Sequence, residues 1–240
     1  MKIQYISDIH LELTSKSINI IPIADVLILA GDIGNPYEEK YYNFLLDITS
    51  KFKKTFIIAG NHEYYKHNII DVKSKIKDIC NKLSNITFLD NSFEDYNNYR
   101  FIGTTLWSKI TNTFYTINDI TEINNMTIEK YNLLHNECLQ FLNEILSNSI
   151  DKKVIVITHH LPIYELTHIK YRNNFYYKYH EWFNADIDDI ITRFTNISAF
   201  IYGHTHIGSI QRFYNVNFYC NPLGYENENE DTDINKFFEL

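Results

Sequence analysis

Five short segments hold the side chains of this chain whose types and spacing could do chemistry. They are Asp8 and His10 in SDIH, Asp32 in AGDIG, Asn61 and His62 in AGNHEYY, His159 and His160 in THHLP, and His204 and His206 in YGHTH. Carboxylate, amide oxygen and imidazole with no thiolate suit borderline or harder divalent cations such as manganese, iron or zinc. Asp8 and His10 have the same parity, so on an extended backbone their side chains leave one face about 7 Å apart at their bases. His204 and His206 repeat that spacing, and both pairs are expected to converge on a cation. Asp32 can offer its two oxygens to two ions, and Asn61 a neutral oxygen. Asp8, His10, Asp32, Asn61, His159, His204 and His206 together exceed the ligand count of one tetrahedral zinc. Two ions sharing Asp32 is the economical arrangement. Such a pair can hold a bridging hydroxide and clamp the oxygens of an in-line displacement at phosphorus, so hydrolysis of phosphate esters is the chemistry expected.

Each segment follows an apolar run, at residues 3–6, 26–30, 56–59, 154–157 and 199–202. Runs of β-branched and aromatic residues without alternation suit strands covered on both faces. Helical periodicity falls between them, at residues 38–51, 69–83, 128–146 and 187–194. That order predicts a layered α/β domain, in which ligands bind outside the carboxyl ends of the strands. An aspartate after a strand is ordinary turn or capping chemistry, and a lone histidine is more often a satisfied core or surface residue. No single segment marks a site; their repetition at equivalent strand ends does.

In that order and spacing the five segments resemble the calcineurin-like metallophosphoesterase family, whose pattern is D-x-H, G-D, G-N-H-[ED], a histidine after a strand, and G-H-x-H. The resemblance runs from Asp8 to His206 and implies two facing mixed β-sheets flanked by α-helices. It implies one metal on Asp8, His10, Asp32 and His206, and a second on Asp32, Asn61, His159 and His204. His62 is then the catalytic histidine that stabilises or protonates the leaving oxygen, a task suited to imidazole. The cofactor expected is two divalent ions, manganese, iron or zinc ahead of magnesium or nickel. Of the two histidines in THHLP, His159 is assigned as the ligand; His160, of opposite strand parity, is a candidate substrate contact along with Asn61. The segment CNPLGY, residues 220–225, resembles an Asn-Pro-x-Gly-Tyr stretch of some small family members, although a plain turn is the simpler reading. A catalytically inactive binding or scaffolding module on the same fold is the alternative.

The rest of the chain narrows the partners. A formal net charge of -8 disfavours nucleic acid, whose non-specific affinity comes from phosphate neutralisation, and a small phosphate ester is preferred. Three separated cysteines, Cys80, Cys138 and Cys220, form neither a disulfide framework nor a zinc cluster. With no signal peptide and no apolar run of spanning length, a cytoplasmic protein without membrane contact is expected. One domain over residues 1–240 is expected, with a strand near residues 101–106 and a lid or surface loop at 108–127. Residues 167–183 interleave Lys170, Arg172 and Lys178 with aromatics, so Arg172 is a candidate phosphate contact; packing of those aromatics into the core is the competing reading. The tail at 226–240 opens with an acidic run expected to be solvated or disordered, leaving Phe237 and Phe238 to dock back as the lesser expectation.

Overall fold

The computed structural model describes residues 1–111, 116–172, 177–229 and 232–240. The first sheet is built from β1 (Lys2–Ile6), β2 (Val26–Ala30), β3 (Lys54–Ile58) and β4 (Ile86–Phe88). The second takes β5 (Ser92–Tyr96), β6 (Tyr99–Thr104), β7 (Lys153–Thr158), β8 (Ile197–Tyr202), β9 (Ser209–Phe213) and β10 (Val216–Cys220). The C-terminal strand β11 (Phe237–Glu239) returns to the first sheet, whose order is β11-β1-β2-β3-β4, against β5-β6-β7-β8-β10-β9 for the second. Pairing is parallel throughout β1 to β4 and β6-β7-β8-β10; β11, β5 and β9 are the antiparallel additions.

Strand side chains alternate between two apolar layers, which is why the runs carry no polar face. Ile3, Tyr5, Val26, Ile28 and Phe56 meet Phe101, Ile155, Ile157 and Ile201 between the sheets. Ile6, Leu27, Leu29 and Ile57 face outward beneath α1 (Glu39–Lys51) and α2 (Ile69–Lys82), and Val154, Val156 and Phe200 do so on the other side. After α3 (Asn118–Glu122), that second side is covered by α4 (Ile128–Ser147) and α5 (Asp188–Arg193). Asn68 caps α2 by accepting from the Ile70 and Asp71 amides, and Thr127 caps α4 by accepting from Lys130 N; such caps are each worth about 1 kcal/mol. Among the described residues no helix is long and apolar enough to cross a membrane, and the three cysteines are buried and unpaired.

The tail differs from its expectation. Phe238 enters the core between the sheets, stacked on Tyr219 at 4.1 Å and edge-on to Tyr5 at 5.6 Å. Burial of that ring outweighs the acidic run before it, of which Glu230 and Asp231 lie outside the described residues.

Candidate metal centre

The polar ends of β1, β2, β3, β7 and β8 open on one rim. Past β1 and β2 the two chains stay side by side: Asp8 N donates to Gly31 O, His10 N to Asp32 O and Leu11 N to Ile33 O, at 3.0, 3.0 and 2.9 Å. Asp8, His10, Asp32, His204 and His206 all have left-handed backbones, with φ of 52, 50, 54, 66 and 51°. Each costs a non-glycine residue on the order of 1–2 kcal/mol, and such strain persists only where surrounding bonds enforce it. Asp8 and His10 therefore do not leave one face of an extended strand, as parity suggested. β1 stops at Ile6, and beyond it the chain, still bonded to the segment after β2, turns left-handed at Asp8 and His10. Glycine is needed where the loops touch: a Cβ on Gly60 would lie 2.2 Å from Asp32 Oδ1, and one on Gly203 2.7 Å from Asp8 Oδ2.

Glu63, fully buried on the 3-10 turn His62–Tyr64, holds this frame from behind. Its carboxylate accepts from the amides of Asp32 (3.0 Å), Ile33 (2.6 Å), Gly34 (3.2 Å) and Gly60 (2.6 Å), tying the loops after β2 and β3 together.

Three groups of candidate ligand atoms each gather within 4.8 Å: Asp8, His10 and His206; His10, Asp32 and His62; and Asp32, His159 and His204. Asp32 Oδ2 lies between them, 3.9 Å from His10 Nε2 and 3.3 Å from His159 Nε2, while its Oδ1 accepts from His62 N at 2.8 Å. Asp8 Oδ1 is 3.5 Å from His206 Nε2 and accepts from His204 N at 2.9 Å. Ser7 Oγ donates to Asp8 Oδ2.

Each imidazole has one nitrogen assigned by an oxygen outside the cluster. His10 Nδ1 faces Glu12 Oε1 (3.2 Å), His206 Nδ1 faces Glu228 Oε2 (2.7 Å), His159 Nδ1 faces Ala30 O (3.0 Å) and His204 Nε2 faces Trp182 O (3.0 Å). In a neutral ring, donation there leaves the other nitrogen as a lone pair, the usual preparation of a metal-binding histidine. His10 Nε2 and His206 Nε2 then face each other at 3.0 Å, and His159 Nε2 faces Asn61 Oδ1 at 3.0 Å. Imidazole nitrogens, carboxylate oxygens and an amide oxygen gathered this closely need a positive charge among them, whether protons or a metal, and their types fit a pair of divalent ions. Asn61 presents its oxygen because its Nδ2 is taken by Asp119 Oδ1 at 2.8 Å and Tyr65 Oη at 3.1 Å.

The electrostatics agree. Burial pulls His159 down, but the Asp32 carboxylate beside it prevails and holds it up at about 10. His62 is likewise raised to about 9, where Asp32 and then Glu12 overcome burial. Asp32 stays well below the usual carboxylate range because His159 and His62 outweigh its desolvation. The site thus concentrates negative charge that protons balance, and a metal cation would displace them. Burial raises Glu63 to about 7, with Asp32 adding to it. Burial and His159 push His160 down to about 3.

A cleft of ≈ 320 Å³ opens over the cluster, with Asp32, Asn61, His62, His204 and His206 on its floor and Tyr65, Tyr171, Trp182, Phe183 and Tyr225 among its walls. His160 is not on that surface. It is fully buried, its Nδ1 3.3 Å from Thr105 O, its Nε2 3.4 Å from Tyr131 Oη, and its ring against His204 at 4.3 Å. The residue after a ligand at the end of a covered strand points away from the rim, into the helix-covered layer. Arg172 does not line the cleft either; its guanidinium donates to Thr167 O at 2.6 Å and to Glu165 O within its own loop. Lys170 and Lys178, named with it, have side chains outside the described residues. Residues 112–115 of the expected lid also lie outside them, but its second half is a wall: α3 brings in Asp119, and Lys66 N donates to Glu122 O at 2.6 Å.

Five residues that sequence reasoning gave no role complete the site. Glu12 Oε1 also faces His62 Nδ1 at 3.3 Å, so one oxygen orients two imidazoles. Asp119 fixes Asn61. Glu228, expected to be solvated, holds His206, and Asn229 Nδ2 donates to His206 O at 2.8 Å. Tyr225, in the stretch read as a turn, has its ring 4.7 Å from that of His10 and 4.5 Å from that of His206. The turn exists, with Gly224 at φ 76°, but it delivers a side chain to the cleft. Only the motif stretch CNPLGY pointed that way.

Residues 1–208 match the family model for calcineurin-like phosphoesterases. An uncharacterized protein of Acanthamoeba polyphaga mimivirus is 31% identical, over 94% of this chain and 92% of that one. A Coxiella burnetii protein named as a probable cyclic nucleotide phosphodiesterase is 28% identical, over 86% of this chain and 76% of its own. The fold is shared with the phosphopantetheinyl hydrolase of Mycobacterium tuberculosis, at a TM-score of 0.75 and 16% identity over 93% of this chain and 89% of that one. A dimetal phosphatase from Danio rerio shares it at a TM-score of 0.54 and 14% identity, over 93% and 87%. With residues 1–208 matched by that model and a relative 31% identical over nearly its whole length, the chain belongs to the calcineurin-like phosphoesterase family.

Proposed function

We propose that the chain hydrolyses phosphate esters with two divalent cations, one held by Asp8, His10, Asp32 and His206 and the other by Asp32, Asn61, His159 and His204. The observation that carries this reading is the convergence of candidate ligand atoms on one rim, above all the facing Nε2 atoms of His10 and His206, 3.0 Å apart. Divalent ions bound there supply positive charge that polarises phosphoryl oxygens and acidifies water for in-line attack. Manganese, iron or zinc suits the mixed oxygen and imidazole set.

The chain's own residues do the rest. His62 is oriented twice, by its amide on Asp32 Oδ1 and by Nδ1 on Glu12 Oε1, which directs Nε2 into the cleft. Water supplies the new bond to phosphorus and gives up one proton to solvent as the bond to the leaving group breaks, and His62 afterwards recovers a proton from solvent. The electron pair of that bond goes to the leaving oxygen, which takes a proton from His62 Nε2. Neither lysine nor arginine is among the described residues lining the cleft, which supports a small ester of modest charge over a long polyanion. The phosphodiesterase name of the Coxiella relative makes diesters as worth assaying as monoesters.

The test is hydrolysis of p-nitrophenyl phosphate and bis-p-nitrophenyl phosphate by metal-stripped protein with Mn²⁺, Zn²⁺, Ni²⁺ or Mg²⁺ restored singly. Turnover is expected to return with metal and to fall about 10²-fold or more in His62→Ala. Turnover without metal, or undiminished in His62→Ala, contradicts the reading.

A further inference from the structure

Tyr225 Oη lies 3.4 Å from His62 Nε2, in the open part of the cleft, with 43% of the residue exposed. Its position is fixed from several sides. Leu223 N donates to Ser7 O at 3.0 Å and Gly224 N to Asp8 O at 2.9 Å, so its turn is bolted to the loop that bears Asp8. Tyr225 N donates at 3.0 Å to Glu228 Oε2, the same oxygen that holds His206 Nδ1. Three histidine rings, those of His10, His206 and His62, surround the phenol at 4.7, 4.5 and 6.1 Å. Both residues line the cleft, and the hydroxyl is placed at the His62 nitrogen to which the proposed reaction gives the proton transfer.

Two donors 3.4 Å apart can both reach one oxygen at an ordinary separation of about 2.8 Å. An oxygen that approaches His62 Nε2 to take its proton therefore comes within reach of the Tyr225 hydroxyl. We infer that Tyr225 is a second catalytic donor: its hydroxyl hydrogen-bonds the leaving oxygen beside His62 and stabilises the charge that develops there. This rests on the phosphoesterase reading. Tyr225 keeps its proton throughout; the proton that is transferred comes from His62, and the electron pair of the broken bond to phosphorus stays on the leaving oxygen. A fixed donor facing developing charge acts as an oxyanion hole does.

Tyr225→Phe removes the hydroxyl and keeps the ring. Two readouts on metal-loaded protein decide the matter: calorimetric binding of vanadate, whose five-coordinate form places an apical oxygen at the leaving position, and rates on phenyl against p-nitrophenyl esters. The expected result is vanadate affinity weaker by about 10-fold, with a rate loss of roughly 10-fold or more on phenyl esters and much less on p-nitrophenyl esters, whose leaving oxygen needs little help. Equal vanadate binding by the two proteins overturns the inference whatever the rates do. So does an equal rate loss on both esters, which would make the hydroxyl a contact to some other oxygen. If no ester is turned over but vanadate still distinguishes the proteins, the donor stands and the phosphoesterase reading fails.

Discussion

Glu12 and Asp119 face candidate ligands, and each controls the direction of an atom on the rim. Glu12 Oε1 assigns the protons of His10 and His62, and Asp119 Oδ1 turns the Asn61 amide so that its oxygen faces His159. Removing such partners weakens metal affinity about 10- to 100-fold. Asp119→Ala is expected to weaken one ion and Glu12→Ala the other, each by that factor, in metal titrations of variants that still melt cooperatively; unchanged titrations would deny both residues their role. The residues that gather on the rim were legible because family motifs state residue types in order. Their partners were not: Asp119 is 58 residues from Asn61 in a stretch with no motif, and only folding brings it there.

At the scale of elements, the rim is set by loops that begin where strand pairing ends. The long apolar runs announced β2, β7 and β8, and periodicity announced α1, α2 and α4. β5 and β9 alternate half-buried and exposed positions, so they lack that signature. The turn joining β9 to β10 takes Tyr214 and Asn215 through positive φ, 52 and 63°, a hairpin geometry that sequence signals by Asn-Gly or Asp-Gly. The left-handed loops that carry Asp8, His10, Asp32, His204 and His206 were hidden for a similar reason, since no glycine announces the positive φ that the surrounding bonds impose there.

α4 also carries a pH dependence. His135 Nδ1 donates to Trp107 O at 2.7 Å, and burial holds its pKa below the usual value, which is about 6.5. As pH falls, the unfolded chain binds this proton before the folded one does, so the contribution is full above about pH 6.5 and is lost below it. Denaturant titrations between roughly pH 7 and pH 5 should show a shallower loss of stability in His135→Gln than in the parent. Parallel losses would show that His135 is not the group responsible.

At the scale of the molecule, the two sheets share one core that the chain closes with its last residues. β11 pairs with β1, and Phe238 fills space between Tyr5 and Tyr219. Composition hid this, because the acidic run before Phe237 reads as a solvated end. Phe238→Ala should destabilise the fold by about 3 kcal/mol, a drop in Tm of roughly 6–12 °C for a domain of this size, while metal stoichiometry stays unchanged. A melting temperature within a degree or two of the parent would place the tail outside the core.

The central claim is that Asp32 is shared by two cations, and it is tested most directly by counting them. Metal-stripped protein reloaded with Mn²⁺ or Zn²⁺, freed of excess ion and assayed for bound metal, should hold two ions per chain, and Asp32→Ala should lose both or keep one weakly. One ion per chain in the parent, or two tightly held ions in Asp32→Ala, would contradict the shared centre.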